Sequence, residues 1–176
     1  ICRASAVVRA CQEAESSLAN PRYQLFEHDP VPLLALGADQ ADYAKRLAAS
    51  ADQIAQADPL LAPQHALKTL ESVERPASIS ALSVQRLLRL ATAASRTAAL
   101  SSRLEIYPRG LSASQAMRLS YGALTGPRFF KAEDIIVRVQ GRYPEAEPIP
   151  GRPLLNTLLA ETGSGLTWNP AGANGP

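Results

Sequence analysis

Two histidines, two cysteines, one adjacent carboxylate pair and a scatter of arginines are the side chains of this 176-residue chain with chemistry to offer. His28 falls in the turn "EHDPV" and His65 near an expected helix start, and neither stands at metal-ligand spacing from a cysteine or carboxylate. The Asp-Pro that follows His28 makes turn chemistry its expected role. Cys2 and Cys11 are nine residues apart. On a helix that is a rise of about 13 Å. A disulfide needs Cα atoms within about 7 Å. The two therefore read as reduced thiols of a cytoplasmic protein. Glu133 and Asp134 point about 100° apart on a helix, and fit compensation of the helix dipole better than acid–base work. "YPRG", residues 107–110, holds no nucleophile beside a base and reads as a joint between a strand and a helix. There is no glycine-rich phosphate loop, kinase motif set or HExxH, and "GSG" at 163–165 reads as a helix stop. No catalytic residue, metal, cofactor or small-molecule substrate is expected.

The cationic side chains point elsewhere. Residues 1–76 hold seven Lys/Arg against ten Asp/Glu, net −3, and residues 77–176 hold eleven against six, net +5. An anionic partner would meet the basic half. In a helix-turn-helix the last helix enters the major groove, and here that helix is expected to expose Arg152, Asn156, Thr157, Ala160 and Glu161. Arg152 and Asn156 are of the types that read base edges. Lys131, Arg138 and Arg142, at the start of and along the preceding helix, are candidate phosphate contacts. Glu161 would repel phosphate, and so few cations release few counterions. Weak, non-specific DNA binding is one expectation, and contact with a partner protein is the other.

The elements that must position these residues are expected to be mainly helical. Apolar residues make up 46% of the chain and aromatics only 5%, a profile rich in alanine and leucine that favours helices over a sandwich. No apolar run approaches the roughly 20 residues of a membrane span. Residues 4–19 read as a helix, and "RYQLF" and "PLLALG" as strands around a turn. Together, residues 1–37 resemble the last helix and wing of a partial winged helix. Residues 38–100 read as a helical connector. Its helices are expected at about 39–58, capped by Asp39, at 63–73, and at 81–100, where Arg86, Arg89 and Arg96 face outward. Residues 101–169 read as a complete winged helix-turn-helix. Its strands are "RLEIY", "RFF" and "LTW". Its helices are one capped by Ser112 with Gln115 three residues on, one with Ile135, Ile136, Val139 and Tyr143 inside, and one with Leu154, Leu155, Leu158 and Leu159 as its stripe. Ala116, Met117, Tyr121 and Leu124 are the expected apolar side of the first. Residues 170–176 read as a disordered tail. The fold class expected is therefore mainly α with short β-hairpins: a partial winged helix, a helical connector and a complete winged helix-turn-helix. Ile1 is no start residue, so the chain is expected to be part of a longer one.

Three stretches, "NPRYQLFEHDPVPLLALG", "LSSRLEIYPRGLSASQAMRLSYGAL" and "RYPEAEPIPGRPLLNTLLAETGSGLTW", resemble a region of the large serine/threonine kinase of bacterial phage-growth-limitation (BREX-like) defence systems, which are common in actinomycetes. The resemblance covers about residues 18–169. It implies an ATP-using parent whose kinase domain lies nearer the N-terminus, and for this chain a non-catalytic recognition module of an antiviral defence kinase, binding DNA or other defence-system proteins. No position here matches the kinase's catalytic motifs, so no functional residue carries over. The alternative is a freestanding winged-helix DNA-binding regulator.

Overall fold

The computed structural model describes residues 2–3, 24–29, 32–124 and 130–169. The chain divides into two compact units, residues 1–108 and 109–176. The expected helix over 4–19, Cys11 and the tail at 170–176 lie outside the described residues.

The first unit is arranged around one long helix. Strands β1 (Cys2–Arg3), β2 (Gln24–Phe26) and β3 (Leu33–Ala35) form an antiparallel sheet in the order β1-β3-β2. Leu25 lies opposite Leu34, and Cys2 also lies opposite Leu34 from the other side. Cys2 is thus on a strand, not on the helix along which its spacing from Cys11 would be measured. Helix α1 (Ala38–Ala55) follows, capped by Gly37 rather than Asp39, which sits in its first turn. Alanines Ala41, Ala44, Ala48, Ala51 and Ala55 are all buried along it, and their small side chains let neighbouring elements approach on two sides. One side of α1, with Tyr43, Leu47 and Ile54, meets α2 (Pro63–Glu71) through Ala66 and Leu70, and α3 (Val84–Ala94) through Leu87, Leu88 and Ala91. The other, with Ala44 and Ala48, packs on Leu33 of β3 and on Ala94.

The helix expected over 81–100 ends at Ala94. Ser95, its C-cap, is extended at φ −71° and ψ 148°, and its hydroxyl accepts the amide of Ala98 at 2.7 Å. That local bond competes with helix continuation and turns the chain into β4 (Ala98–Leu100), which pairs antiparallel with β5 (Ile106–Pro108). Leu104, expected in a strand, instead takes a positive φ of 63° in the connecting turn. The hairpin straddles residue 100 and belongs to the first unit.

The second unit is built from α4 (Ala113–Leu119), a short 3₁₀ turn (Tyr121–Ala123), α5 (Ala132–Arg142) and α6 (Leu154–Glu161), with α4 packed on both α5 and α6. Ser112 caps α4 as its spacing requires, accepting the amide of Gln115 at 3.3 Å. Ile135, Val139 and Tyr143 are buried at a step of four residues, and Val137 between them is exposed. Leu155, Leu158 and Leu159 are buried; Leu154 is 65% exposed and Tyr121 49%, so both leave the core expected for them. Pro153 is the N-cap of α6 rather than inside it, which rotates Leu154 into the open first turn. Among the described residues of this unit no strand forms: Leu166–Trp168 and Phe130 have no ladder partner, and Arg128 and Phe129 lie outside the described residues.

Candidate functional site

Of the five residues read as a nucleic-acid surface, two arginines bond to backbone carbonyls. Arg138 donates from Nη1 to the carbonyl of Ala123 at 3.1 Å and lies over the Phe130 ring at 5.0 Å. Arg142, one helical turn on, donates to the carbonyl of Leu119 at 2.6 Å and lies 5.1 Å from the Tyr143 ring. Leu119 is the last residue of α4 and Ala123 the last of the 3₁₀ turn. Carbonyls there have no intrahelical donor and carry the negative end of the helix dipole. Two arginines expected to meet phosphate therefore neutralise the chain's own helix end. Lys131 is exposed at the N-cap of α5, where its carbonyl accepts the amides of Asp134 and Ile135.

Arg152 and Asn156 are brought together with a residue not singled out from sequence. The Arg152 guanidinium carbon sits 3.4 Å from the centroid of the Trp168 ring, a close cation–π stack. Asn156 and Trp168 line a cleft of about 320 Å³ with Leu159, Leu166, Gly163 and Gly165. Both glycines have positive φ, 64° and 69°, which lets the segment after α6 fold back beside the helix. The signal for Trp168 is its being the sole tryptophan of the chain. Its sequence context suggests a strand, and only the fold-back places it beside Arg152.

The joint "YPRG" is structural. Gly110, at φ 74°, donates its amide to the carbonyl of Glu145 at 2.8 Å, and Glu147 donates to the carbonyl of Leu111 at 2.8 Å. Arg109 pairs with the Glu145 carboxylate, and the Glu147 carboxylate accepts the first amide of α4, from Ala113, at 3.3 Å. The turn after α5 is thereby tied to the start of α4.

In the first unit, His28 uses its ring. Nε2 lies 2.6 Å from the carbonyl of Ala94 and donates to it, so the residue expected only in a turn also closes the end of α3. Asp29, next along, pairs with Arg96 at 3.1 Å. Asp52 on α1 accepts at one carboxylate oxygen from the Ser95 hydroxyl, the Thr97 amide at 2.9 Å and the Thr97 hydroxyl at 2.7 Å. Burial pushes its pKa up, but the hydrogen bonds from Ser95 and Thr97 outweigh that and hold the carboxyl below its ordinary value. His65 lies in the first turn of α2, its carbonyl accepting the Thr69 hydroxyl at 3.1 Å. Among the described residues no three His, Cys, Asp or Glu side chains cluster as a metal site.

The same unit holds the larger opening, a groove of about 470 Å³ along α3. Leu33, Ile79, Leu82 and Leu90 make its apolar lining, and Arg86 and Arg89 stand at its edge. Their step of three residues places both on one helix face. The sequence has them facing outward. The wall they stand beside is formed by Ser78, Ile79, Ser80 and Leu82; Leu82 is expected from sequence inside the helix over 81–100, which begins only at Val84.

The fold and these surfaces define a mainly helical protein of two units, with its polar side chains used largely to tie elements together. No protein-family model matches the chain, and no solved structure matches it significantly. It is 33% identical over 180 residues to "Probable kinase PglW" of Streptomyces coelicolor, an alignment that covers 85% of this chain. The chain spans only 11% of the length of that curated relative. It is related to a non-kinase part of this BREX-type kinase, as the three quoted stretches led us to expect. Among the described residues no helix is long and apolar enough to cross a membrane.

Proposed function

We propose that this chain is a non-catalytic recognition module of a larger phage-defence serine/threonine kinase, and that it acts by contacting a partner protein. The observation that carries the choice of protein over DNA is the engagement of Arg138 and Arg142 with the carbonyls of Ala123 and Leu119. With these two committed, Lys131 and Arg152 remain from the expected cationic set, and Arg152 is stacked on Trp168. Every cation withdrawn from phosphate lowers the electrostatic part of DNA affinity. The kinship with a probable kinase supports the defence setting, and a cytoplasmic location goes with it. We read α4, α5 and α6 as the helical part of a winged helix-turn-helix, supported by their order, and β2–β3 as the wing of a second. The Arg152–Trp168 stack beside Asn156 favours a second reading, weak nucleic-acid binding through an exposed aromatic ring.

Fluorescence anisotropy with two unrelated DNA duplexes across a salt series tests both readings against that of a sequence-specific DNA-binding regulator. The expected affinity is no tighter than about 10⁻⁴–10⁻⁶ M at physiological salt and equal on both duplexes. Nanomolar binding to one duplex alone would replace the protein-contact reading with that of a DNA-binding regulator.

A further inference from the structure

The groove along α3 is built rather than incidental. Its loop wall is fastened at two points: Arg75 donates to the carbonyl of Ile79, and the Ser78 hydroxyl donates to the Asp39 carboxylate. Its apolar lining is Leu33 from β3, Ile79 and Leu82 from the loop, and Leu90, Ala93 and Ala94 from the helix, with Gln40, Ser78 and Ser80 as polar neighbours. Its edge carries Arg86 and Arg89. Both are exposed, and neither guanidinium has an ion-pair or hydrogen-bond partner among the described residues. Asp39, the carboxylate on the loop side, is taken by Ser78. From Arg86 to Ala94 the helix offers about 12 Å of continuous wall, the span of about four extended residues. The volume falls within the roughly 300–1,000 Å³ of sites that enclose a ligand.

Charge and shape together define the occupant. An apolar trough would take a large aliphatic or aromatic side chain and gain from removing its surface from water. Two guanidiniums at its edge, without a counter-charge of their own, favour a carboxylate next to that side chain and disfavour a cation there. We propose that this groove binds a short acidic-apolar segment of a partner protein, a leucine- or phenylalanine-type side chain in the trough flanked by aspartate or glutamate on Arg86 and Arg89. This rests on the partner-protein reading above and gives that partner its chemistry.

A phage-displayed library of random peptides, panned on the whole chain, tests it with no need to identify the partner first. Enriched clones should carry Asp or Glu within a few residues of Leu, Ile, Phe or Met. Synthetic peptides from these clones should lose about tenfold or more in affinity for the Arg86→Glu/Arg89→Glu variant, and a comparable amount for the native chain when their carboxylates become amides. The amide peptides need no change in the protein, so they decide the matter even if the double variant folds poorly. No enrichment, enriched peptides of another character, or peptides indifferent to both changes would overturn the groove assignment. Peptides that bind but ignore Arg86 and Arg89 would remove the groove while leaving protein contact standing. Only tight, selective duplex binding removes that reading.

Discussion

Asp52 shows what a single polar side chain does in this molecule. It reaches from the last turn of α1 to the point where α3 ends and β4 begins, and one oxygen collects three donors from Ser95 and Thr97. Asp52→Asn should destabilise the chain by about 1–3 kcal/mol at neutral pH, measured by denaturant unfolding, because donors built for a carboxylate are left poorly met. The carboxyl's pKa is lower folded than unfolded, so its stabilisation is present above the unfolded value and lost as pH falls through the folded one. The gap in melting temperature between native chain and variant should therefore hold at neutral pH and narrow on acidification below about pH 4, the ordinary aspartate value. A gap independent of pH would mean that Asp52 acts through packing alone. Arg142 makes the complementary point. Its sequence position suggests phosphate; its bond to the Leu119 carbonyl makes it a fastener of α4 to α5. Arg142→Ala should lower stability by about 0.5–1.5 kcal/mol, and duplex binding measured at matched folded fraction should not change. A loss of duplex binding with stability unaltered would return Arg142 to the nucleic-acid surface. Neither role is legible in sequence, since Asp52–Ser95 and Arg142–Leu119 are long-range pairs that no local spacing announces.

At the scale of elements, hydrophobic periodicity locates most helices and misjudges their ends. The run of leucines at 154, 155, 158 and 159 marks the helix, but which of them face inward depends on where the helix begins. With Pro153 as N-cap, Leu155, Leu158 and Leu159 are buried and Leu154 is not. Leu158→Ala should cost about 2–5 kcal/mol, as truncation of a buried leucine does. Leu154→Ala should stay within about 0.5 kcal/mol, as surface changes do. Equal costs in thermal or urea unfolding would show that the helix phase is wrong. The largest overrun, a helix expected to continue from Ala94 to Leu100, has the same origin. Alanines at 93, 94, 98 and 99 suit a helix by propensity, and what stops it is the Ser95 hydroxyl turning back on the Ala98 amide while Asp52 holds Thr97. Tertiary contact overrides propensity there. By contrast the Ser112–Gln115 cap is readable, because a capping box lies within four residues and needs nothing distant.

For the whole molecule, charge is reapportioned by the fold. The −3 and +5 found by cutting the sequence at residue 76 do not survive division into the two compact units. Residues 1–108 carry eleven Lys/Arg and eleven Asp/Glu, net zero, and residues 109–176 carry seven against five, net +2. The long-range field that would steer an anionic polymer is correspondingly slight, consistent with a partner recognised by local chemistry. Motif content leads to one further expectation: Mg-ATP titrated into the chain should give no saturable heat and no phosphate release, because the residues that cradle phosphates have no match here. A micromolar isotherm would reveal a nucleotide site of a new kind. The sequence by itself determined the helical character, the α4 cap, the places of α5 and α6 in the chain and the kinship with a non-kinase part of a larger kinase, since composition, short-range periodicity and aligned wording are all carried along the chain. Tertiary structure decided the β4–β5 hairpin, the capping roles of His28, Arg138 and Arg142, the stack of Arg152 on Trp168 and the groove edged by Arg86 and Arg89. Each of these joins groups brought together by folding, and a hydrogen bond or a cavity between them depends on where the chain turns back, which no local pattern records.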